Sequence, residues 1–459
     1  MSQVPAERMA GPRLDAVPKL TRFHYSLMPV FMLGYWFEFA NVASLGLVMP
    51  IIAENWALTP QAVGTVLAAV SWGMIVGAYT GGMVADLFGR RRVFMWSLAV
   101  YSIFTFVIPF AADMYQLMAM RVLGGWGMGA MTDSITTYIT EYYPSRMRGR
   151  ITALIFGIGA GLGSGFGATV VYRVVGMTWG WQWLFYILGG AAVIVYILYL
   201  LLLPESARWL QVRGRWEEAE KILVRIESQT DPSLKEQYRR DLSAYSARVL
   251  SVTQEKERVG IRDILGPDYR RRTVILWQYY FFMMGTAWPL NMWVPSIIIP
   301  AYGTDLGSMI MMIVYLGTFF GSMISVAVCE RLGRKNMLVI GLSFAGIMMI
   351  AFGRVLHLAM LAAVVGMLYQ LGIGLQVSQG YAYAQELFPT RARASAFASG
   401  TGMGRIGMSI FPIIFGILMD TAGASWVLTL SGVLTLVSIS IVAVFGMSTK
   451  GKTLEELSK

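Results

Sequence analysis

Charged residues are scarce in this sequence. Only 14% of its 459 residues are Asp, Glu, Lys or Arg, whereas 56% are hydrophobic. A chain of this composition has too much apolar surface to fold in water, and it is long enough for about a dozen membrane spans of roughly 20 residues. The scarcity of charge therefore excludes a water-soluble protein and favours a polytopic helical membrane protein.

Cysteine and histidine are nearly absent as well. The single cysteine, Cys329, excludes a disulfide within the chain, and the two histidines, His24 and His357, have no acidic cluster around them. We therefore expect neither a metal site nor any other cofactor. The phosphate-binding pattern G-x-x-x-x-G-K-[ST] does not occur either, which argues against an ATP-driven pump.

The positive charges are distributed unevenly along the chain. A net charge of +11 could indicate a nucleic-acid partner, but all except four of the 37 Lys and Arg residues lie before the first apolar run, after the last, or in every second connection. By the positive-inside rule, this pattern places both termini in the cytoplasm and requires an even number of spans. The charge is therefore a topology signal, and we expect no nucleic-acid partner.

Apolar runs and polar segments divide the chain into five parts. We predict an all-α membrane protein with twelve transmembrane helices in two six-helix bundles, residues 23–203 and 273–447. A cytoplasmic tail precedes the first bundle (1–22), a cytoplasmic helical linker joins the bundles (204–272), and a second tail ends the chain (448–459). The runs are continuously apolar and do not alternate with polar residues, which argues against a transmembrane β-barrel.

The second half of the sequence repeats motifs of the first. Residues 86–90 have their counterpart in residues 330–334, and the pattern Glu-x-x-Pro-x-x-x-Arg at Glu141 returns at Glu386, each about 245 residues later. Two glycines near residue 158 have counterparts at the same offset. These matches indicate two halves related by pseudo-symmetry, with a substrate site between them near the membrane midplane.

Several motifs resemble those of the major facilitator superfamily. Residues 82–91 fit the loop pattern G-x-x-x-D-x-x-G-R-R, and residues 125–148 have the spacing G-x-x-x-G-x(8)-Y-x-x-E-x(6)-R of sugar porters. Residues 204–210, PESARWL, resemble a segment of sugar porters and organic-ion transporters. Residues 386–393, together with GRIG at 404–407, resemble aromatic-acid/proton symporters and organic-anion transporters. The resemblance implies a carrier that works by alternating access, commonly as a monomer, and not an enzyme.

The same resemblance implies a charge latch in the cytoplasmic loops. In the superfamily, Asp, Glu and Arg residues of these motifs form ion pairs that hold one conformation of the carrier. At the matching positions and their counterparts in the repeat, the predicted latch residues are Asp86, Arg90, Arg91, Glu141, Arg148, Glu330, Arg334, Glu386 and Arg393.

Three charged residues fall deep inside predicted spans. Glu38 lies near the middle of the first span, Asp133 lies in the fourth, and Arg405 lies in the eleventh, roughly nine residues or about 13 Å from its cytoplasmic end. Charges at such depth must face protein or water, so they are functional candidates. Either acid could carry a proton, although a structural pairing with a neighbouring helix is the alternative.

Arg405 suggests an anionic substrate. A guanidinium binds a carboxylate through two parallel hydrogen bonds, and the resemblance to organic-anion transporters implicates an arginine at this place in anion recognition. The alternative is a structural ion pair with Glu38 or Asp133. The other candidates for contact with the substrate are polar side chains of three spans, of which the first three share one helix face: Gln376, Gln379, Tyr383, Asn291, Gln278 and Tyr35.

These features predict proton-coupled uptake of a small organic anion, an aromatic or related carboxylate, across the inner membrane of a bacterium. The expected partners are the substrate, protons and the lipid bilayer. A proton-coupled sugar or polyol porter is an alternative, because PESARWL is shared with sugar porters. A proton-driven exporter of drugs or metabolites is another, because 31 methionines suit a large apolar cavity. A transport-like sensor is the third, although the linker is short.

Overall fold

The computed structural model describes residues 8–253, 261–388 and 390–448. Within these ranges the chain is mostly helical and forms no β-strand. Twelve long helices, numbered α1 to α12, make up most of it. Their bounds are Arg22–Asn55, Pro60–Phe88, Arg90–Val107, Met114–Tyr142, Ser145–Trp179 and Gln182–Leu202 in the first half, and Arg270–Tyr302, Thr304–Leu332, Arg334–Arg354, Ala359–Glu386, Thr390–Thr421 and Ala424–Phe445 in the second.

Most of these helices have the composition of membrane spans. In the part of the chain that the structure describes, ten are long and apolar enough to cross a membrane. The other two, α4 and α7, are as long, at 29 and 33 residues. Helix α4 carries Arg121 and Asp133, which lower its hydropathy. The fold is therefore that of a multi-pass membrane protein with two bundles of six helices.

The two halves touch backbone to backbone at glycines. Two of these contacts join α2 and α11 on the side of the bundle away from the N-terminal helix and the linker, here called the distal side; the opposite side is the terminal side. A Cβ atom on Gly64 of α2 would lie 2.3 Å from the carbonyl oxygen of Pro412 in α11, and one on Gly416 would lie 2.5 Å from that of Pro60. No side chain fits between α2 and α11 there.

Helix α5 is interrupted by two wide turns. Gly163–Gly167 and Tyr172–Gly176 are π-helical, and the segments around them are α-helical. Such turns insert an extra residue into the helix and often occur at functional sites. Gly165 has a φ of +82°, and the ring of Tyr315 in α8 occupies the space that its side chain would need. The first wide turn is therefore packed directly against the other half.

The second wide turn positions an ion pair between the halves on the distal side. Within it, the guanidinium of Arg173 donates to the carboxylate of Asp305 at 2.8 Å and to the hydroxyl of Ser308 at 2.6 Å. Both partners belong to the first turns of α8. This contact and the glycine contacts join the two halves on the same side of the membrane.

The N-terminal segment is bound to the linker on the terminal side. Arg13, in the short helix Ala10–Asp15, is 8% exposed and contacts Glu220 at 2.5 Å and Glu227 at 2.6 Å, both in the linker helix Trp216–Ser228. Burial alone would lower the pKa of Arg13, but hydrogen bonds to the two glutamates outweigh it and raise that pKa. The guanidinium thus stays charged and joins the two segments.

Replacing Arg13 with alanine should detach the N-terminal helix from the linker. One glutamate is half exposed, so the contact is worth less than a fully buried pair, about 1–2 kcal/mol. We expect hydrogen exchange of the amides of Ala10–Asp15 to become about tenfold faster, as measured by mass spectrometry. The exposed Arg22 is the control, and Arg22→Ala should leave this exchange unchanged. Equal exchange in Arg13→Ala and the parent protein would show that other contacts hold the segment.

Candidate functional site

An ion pair joins the two halves near the middle of the membrane. Arg405 of α11 donates from Nη2 to Oδ1 of Asp133 in α4 at 2.9 Å. The arginine side chain is only 10% exposed, whereas the aspartate side chain is 39% exposed. Of the two acids that the sequence offers as partners, Arg405 therefore contacts Asp133. Because Asp133 is partly open, water or a ligand can approach the pair.

Glu38 of α1 lies in a closed pocket near this pair. It is 1% exposed, and its Oε1 accepts a hydrogen bond of 2.7 Å from the hydroxyl of Thr132, the neighbour of Asp133 in the chain. Its Oε2 is buried and has no hydrogen-bond partner among the described residues. Burying an ionised carboxylate with one bare oxygen costs several kcal/mol, so this pocket suits the neutral acid.

A second arginine is buried closer to the distal side. Arg121 of α4 is 2% exposed and donates from Nη1 to Oδ1 of Asn41 at 2.8 Å. The amide nitrogen of Asn41 in turn donates to the hydroxyl of Thr105 in α3 at 2.6 Å. This chain of hydrogen bonds ties α1, α3 and α4 together one helical turn from Glu38.

Aromatic rings surround a cavity between the halves. Phe39 and Phe156 come from the first half, and Trp288 and Tyr381 come from the second. The ring of Phe39 lies 4.6 Å from that of Trp288, and the ring of Phe156 lies 5.5 Å from that of Tyr381. Such surfaces pack well against a flat apolar ligand. The cavity is narrow, because the volume open to the centre of a water molecule is only about 30 Å³. A ring-sized ligand therefore requires the walls of the cavity to separate.

Two amide side chains also line the cavity. The hydroxyl of Tyr279 donates to Oε1 of Gln376 at 2.9 Å, and Nε2 of Gln370 donates to Oδ1 of Asn291 at 2.5 Å. Gln370 is itself held by the hydroxyl of Thr318, which donates to its Oε1 at 2.8 Å. In both cavity-lining amides the oxygen is therefore engaged by the protein.

The charged groups and the amides lie at different ends of one site. Tyr381 lines the cavity, and its hydroxyl lies within electrostatic range of the ionisable residues Glu38, Asp133 and Arg405. We call these three ionisable residues the charged end, and Asn291 with Gln376 the amide end. Of the four aromatic residues, Tyr381 lies next to the charged end. This arrangement matches a ligand that has an acidic group on one side and a flat apolar body.

The structure brings only some of the predicted contact residues to this site. Gln376 and Asn291 line the cavity, and Tyr35 packs against its wall at Phe156, with ring centroids 4.9 Å apart. The remaining three hydrogen-bond within the second half. Gln379 donates to Ser325 at 3.0 Å, Tyr383 to the carbonyl oxygen of Met447 at 3.0 Å, and Gln278 to that of Ser438 at 3.4 Å.

The distance along α10 explains why residues on one face of this helix contact different neighbours. Tyr383 is seven residues beyond Gln376, which is about 10 Å along the helix axis. Over that distance α10 passes from α7, where Tyr279 holds Gln376, to the end of α12 next to Met447. A shared helix face therefore does not mean a shared cavity. Gln379, Tyr383 and Gln278 do not line the cavity, and the substrate contacts predicted for them stay predictions.

The predicted latch residues of the first half meet on the terminal side. Arg90 donates from Nη1 to Asp86 at 2.7 Å, and its Nε lies 3.5 Å from the carboxylate of Glu141. Arg148 lies 3.5 Å from Asp15 of the N-terminal helix. Arg90 thereby connects α2, α3 and α4, so the ion pairs that it forms lie within one half.

A further carboxylate, which is not among the predicted latch residues, joins this cluster. Glu205 accepts a hydrogen bond of 3.1 Å from the backbone N–H of Arg91, in the first turn of α3. Burial raises the pKa of Glu205, and hydrogen bonds from the backbone N–H groups of Ser206 and Arg91 oppose that rise. The glutamate belongs to PESARWL, and this segment directly after an apolar run was the signal that could have revealed it.

The second half has a matching pair. Arg334 donates to the carboxylate of Glu386, which links α9 to the end of α10. The side chains of two other predicted latch residues, Glu330 and Arg393, lie outside the described residues. Elsewhere, the described part of the chain gathers no group of three or more His, Cys, Asp or Glu residues that could hold a metal ion.

The sequence is similar to those of known transporters along nearly its whole length. Residues 28–459 match the family model described as sugar (and other) transporter. The niacin transporter of Acinetobacter baylyi is 28% identical over 450 residues, which cover 97% of this chain and 98% of the relative. The 4-hydroxybenzoate transporter of the same organism is 26% identical over 438 residues, which cover 93% and 91%.

A solved structure shares the fold. The xylose transporter XylE from E. coli, in a partially occluded inward open conformation, superposes with a TM-score of 0.75 and 17% sequence identity. The match covers 94% of this chain and 99% of that one. The helices described above therefore have the arrangement of the major facilitator fold.

Proposed function

This chain belongs to the sugar (and other) transporter family, and from that premise we propose that it is a proton-coupled symporter of a small organic anion, an aromatic or related carboxylate. It works by alternating access in the inner membrane of a bacterium, takes the anion up, and keeps both termini in the cytoplasm. One observation carries the proposal: the ion pair of Arg405 and Asp133 joins the halves beside an aromatic cavity. Two relatives named for niacin and 4-hydroxybenzoate, both aromatic carboxylates, support the substrate class.

Arg405 is the anion-binding residue in this proposal. Its guanidinium can form two parallel hydrogen bonds to a carboxylate, and its burial makes each of them stronger than in water. In the structure Arg405 donates to the carboxylate of Asp133. A substrate carboxylate therefore has to compete with the Asp133 carboxylate for the same guanidinium.

Protonation of Asp133 removes this competition and couples transport of the anion to transport of a proton. In the empty site, Arg405 and ionised Asp133 balance each other, and Glu38 is neutral. With the anion bound to Arg405, the site is balanced only if Asp133 has taken up a proton. The anion without the proton would leave a net negative charge in a low-dielectric site, which is costly. The site is neutral when it holds neither the anion nor the proton and when it holds both of them. In these two states the carrier reorients.

The aromatic rings hold the body of the substrate. Phe39, Phe156, Trp288 and Tyr381 come from both halves, so a ring placed between them contacts both halves at once. Closure around the substrate would then bury its apolar surface, which contributes roughly 25 cal/mol per Å².

The glycine contacts on the distal side are the gate of that side. Alternating access requires the distal contact between α2 and α11 to form in one state and to separate in the other. Gly64 permits this contact because its lack of a side chain lets the two backbones meet.

Replacing Gly64 with valine should prevent the gate from closing. The new side chain would overlap the backbone of Pro412, which cannot rotate away as a flexible side chain could. We expect initial uptake rates to fall at least about tenfold, as measured in proteoliposomes. Gly190 of α6, where a Cβ would meet nothing within 4 Å, gives the matched control, and Gly190→Val should transport normally. Normal uptake by Gly64→Val would mean that the gate lies elsewhere.

The function itself is tested by recording pH inside proteoliposomes of the purified protein. Aromatic carboxylates, aliphatic carboxylates, hexoses and cationic drugs are added one at a time. Acidification of the lumen by an aromatic carboxylate, but not by a hexose, is the expected result. Acidification by hexoses alone would replace the proposal with a sugar porter, and alkalinisation by a drug would replace it with an exporter.

A sugar or polyol porter is the second candidate. The family description and the xylose transporter that shares the fold favour it, and the amide end offers hydrogen bonds that a hydroxylated ligand can use. Against it stands Arg405, because a neutral sugar gives a buried guanidinium nothing that Asp133 does not already give.

A further inference from the structure

The amide end of the cavity has a hydrogen-bonding capacity that the anion site does not use. Gln376 is fully buried, and its Nε2 has no hydrogen-bond partner in the described part of the chain. A buried amide N–H group without an acceptor costs about as much as a lost hydrogen bond. Since Gln376 lines the cavity, a bound ligand is the group that can supply the missing acceptor.

The two ends of the Gln376 amide have different surroundings. The hydroxyl of Tyr279 donates to Oε1 of Gln376, so Nε2 is the free end of the amide. Tyr279 is itself held against the backbone of α10, because Gly380 leaves the space that its hydroxyl occupies. The Gln376 amide thus presents N–H groups, which are donors only.

Asn291 presents the same chemistry from α7. Its Oδ1 accepts from Gln370, whose own Oε1 accepts from Thr318. This relay runs in one direction and leaves the N–H groups of Asn291 for the cavity. Two amides from α7 and α10 therefore both offer donors, and neither offers a free oxygen. A ligand group that fits there accepts hydrogen bonds.

Resting on the proposed function, we propose that Gln376 and Asn291 are specificity-determining residues that recognise a hydrogen-bond acceptor on the substrate's ring. The acceptor is a ring nitrogen or a ring-borne oxygen, and it lies on the edge of the ring away from the carboxylate. The carboxylate is bound by Arg405 at the charged end, and the ring lies between the aromatic side chains. The substrate class is thereby narrowed from aromatic acids in general to aromatic acids that have an acceptor at a position meta or para to the carboxylate.

The energetics of such a site favour rejection of plain aromatic acids. A site built to hydrogen-bond a substrate group discriminates strongly against an analogue that lacks it, because the protein's own polar groups are then left unpaired. A purely apolar wall would instead bind the substrate and the analogue with similar affinity. The effect is expected to be about tenfold for a single buried hydrogen bond of ordinary strength.

The test measures binding of a series of isomers to the purified full-length protein by isothermal titration at neutral pH, where a pyridine nitrogen carries no proton. The probes are benzoate and the three pyridine carboxylates, with the nitrogen ortho, meta or para to the carboxylate. We expect the meta and para isomers to bind about tenfold more tightly than benzoate. The ortho isomer, whose nitrogen lies at the charged end, should bind no better than benzoate.

The variants test whether the amides cause this preference. Gln376→Leu should bring the meta and para isomers down to the affinity of benzoate and leave benzoate binding itself in place, which also shows that the variant is folded. Asn291→Leu is the second variant, with the same expected loss of preference. A preference that survives both changes, or equal binding of all four acids by the parent protein, would overturn this inference and leave the proposed function standing. If no aromatic carboxylate binds, the proposed function fails and this inference fails with it.

Discussion

Asp133→Asn is expected to abolish accumulation of the substrate against its gradient when a pH difference drives it, while exchange of substrate for substrate continues. Asparagine cannot take up a proton, and its amide does not neutralise Arg405. The guanidinium is then permanently available to the anion, so binding no longer requires a proton. The measurement is uptake of labelled substrate into proteoliposomes, once with a pH gradient and once with unlabelled substrate inside.

The matched control for this change is Glu38→Gln. Glutamine has the shape of the neutral acid, which is the form that the closed pocket around Glu38 suits. We therefore expect this variant to keep accumulation driven by pH. The reverse pattern, with accumulation lost in Glu38→Gln and kept in Asp133→Asn, would move the proton from Asp133 to Glu38 and leave the anion site unchanged.

The second large effect is expected from Arg405→Lys. Lysine keeps the positive charge but has a single nitrogen, so it loses the paired hydrogen bonds that a carboxylate makes to a guanidinium. We expect carboxylate binding to weaken about 100-fold, which corresponds to about 3 kcal/mol. Isothermal titration of the purified variant with benzoate is the measurement.

The control for this change is an arginine with the same chemistry at a different depth. Arg354 ends α9 and is exposed, so Arg354→Lys should bind benzoate like the parent protein. If Arg405→Lys also bound benzoate with parental affinity, Arg405 would be only the structural partner of Asp133. The sugar porter would then become the better assignment.

The fold could be predicted from the sequence. Long apolar runs, the repeat and the loop motifs predicted two bundles of six helices, because each of these signals can be recognised without knowing which helices pack together. The presence of Asp133 and Arg405 inside spans was likewise visible. Which acid Arg405 contacts was not, since the two residues are 272 positions apart and their meeting depends on the relative height and rotation of α4 and α11.

The walls of the cavity were harder to predict for the same reason. Trp288 and Phe39 are two of many aromatic residues in the sequence, and only the packing of α1 against α7 shows that their rings lie 4.6 Å apart. The direction of the hydrogen bonds made by the cavity amides could not be predicted from the sequence either. The N–H groups of Gln376 face the cavity because the hydroxyl of Tyr279, which is 97 residues away, engages the amide oxygen, and no spacing rule encodes that contact.

The wide turns of α5 set the angular phase of the distal third of that helix. Each inserted residue rotates the rest of the helix by about 100° and shifts it by about 1.5 Å relative to an uninterrupted α-helix. Arg173 points at Asp305 and Ser308 in this phase; after the loss of one inserted residue it would face a different neighbour. The two wide turns therefore determine which residues of α8 the distal end of α5 contacts.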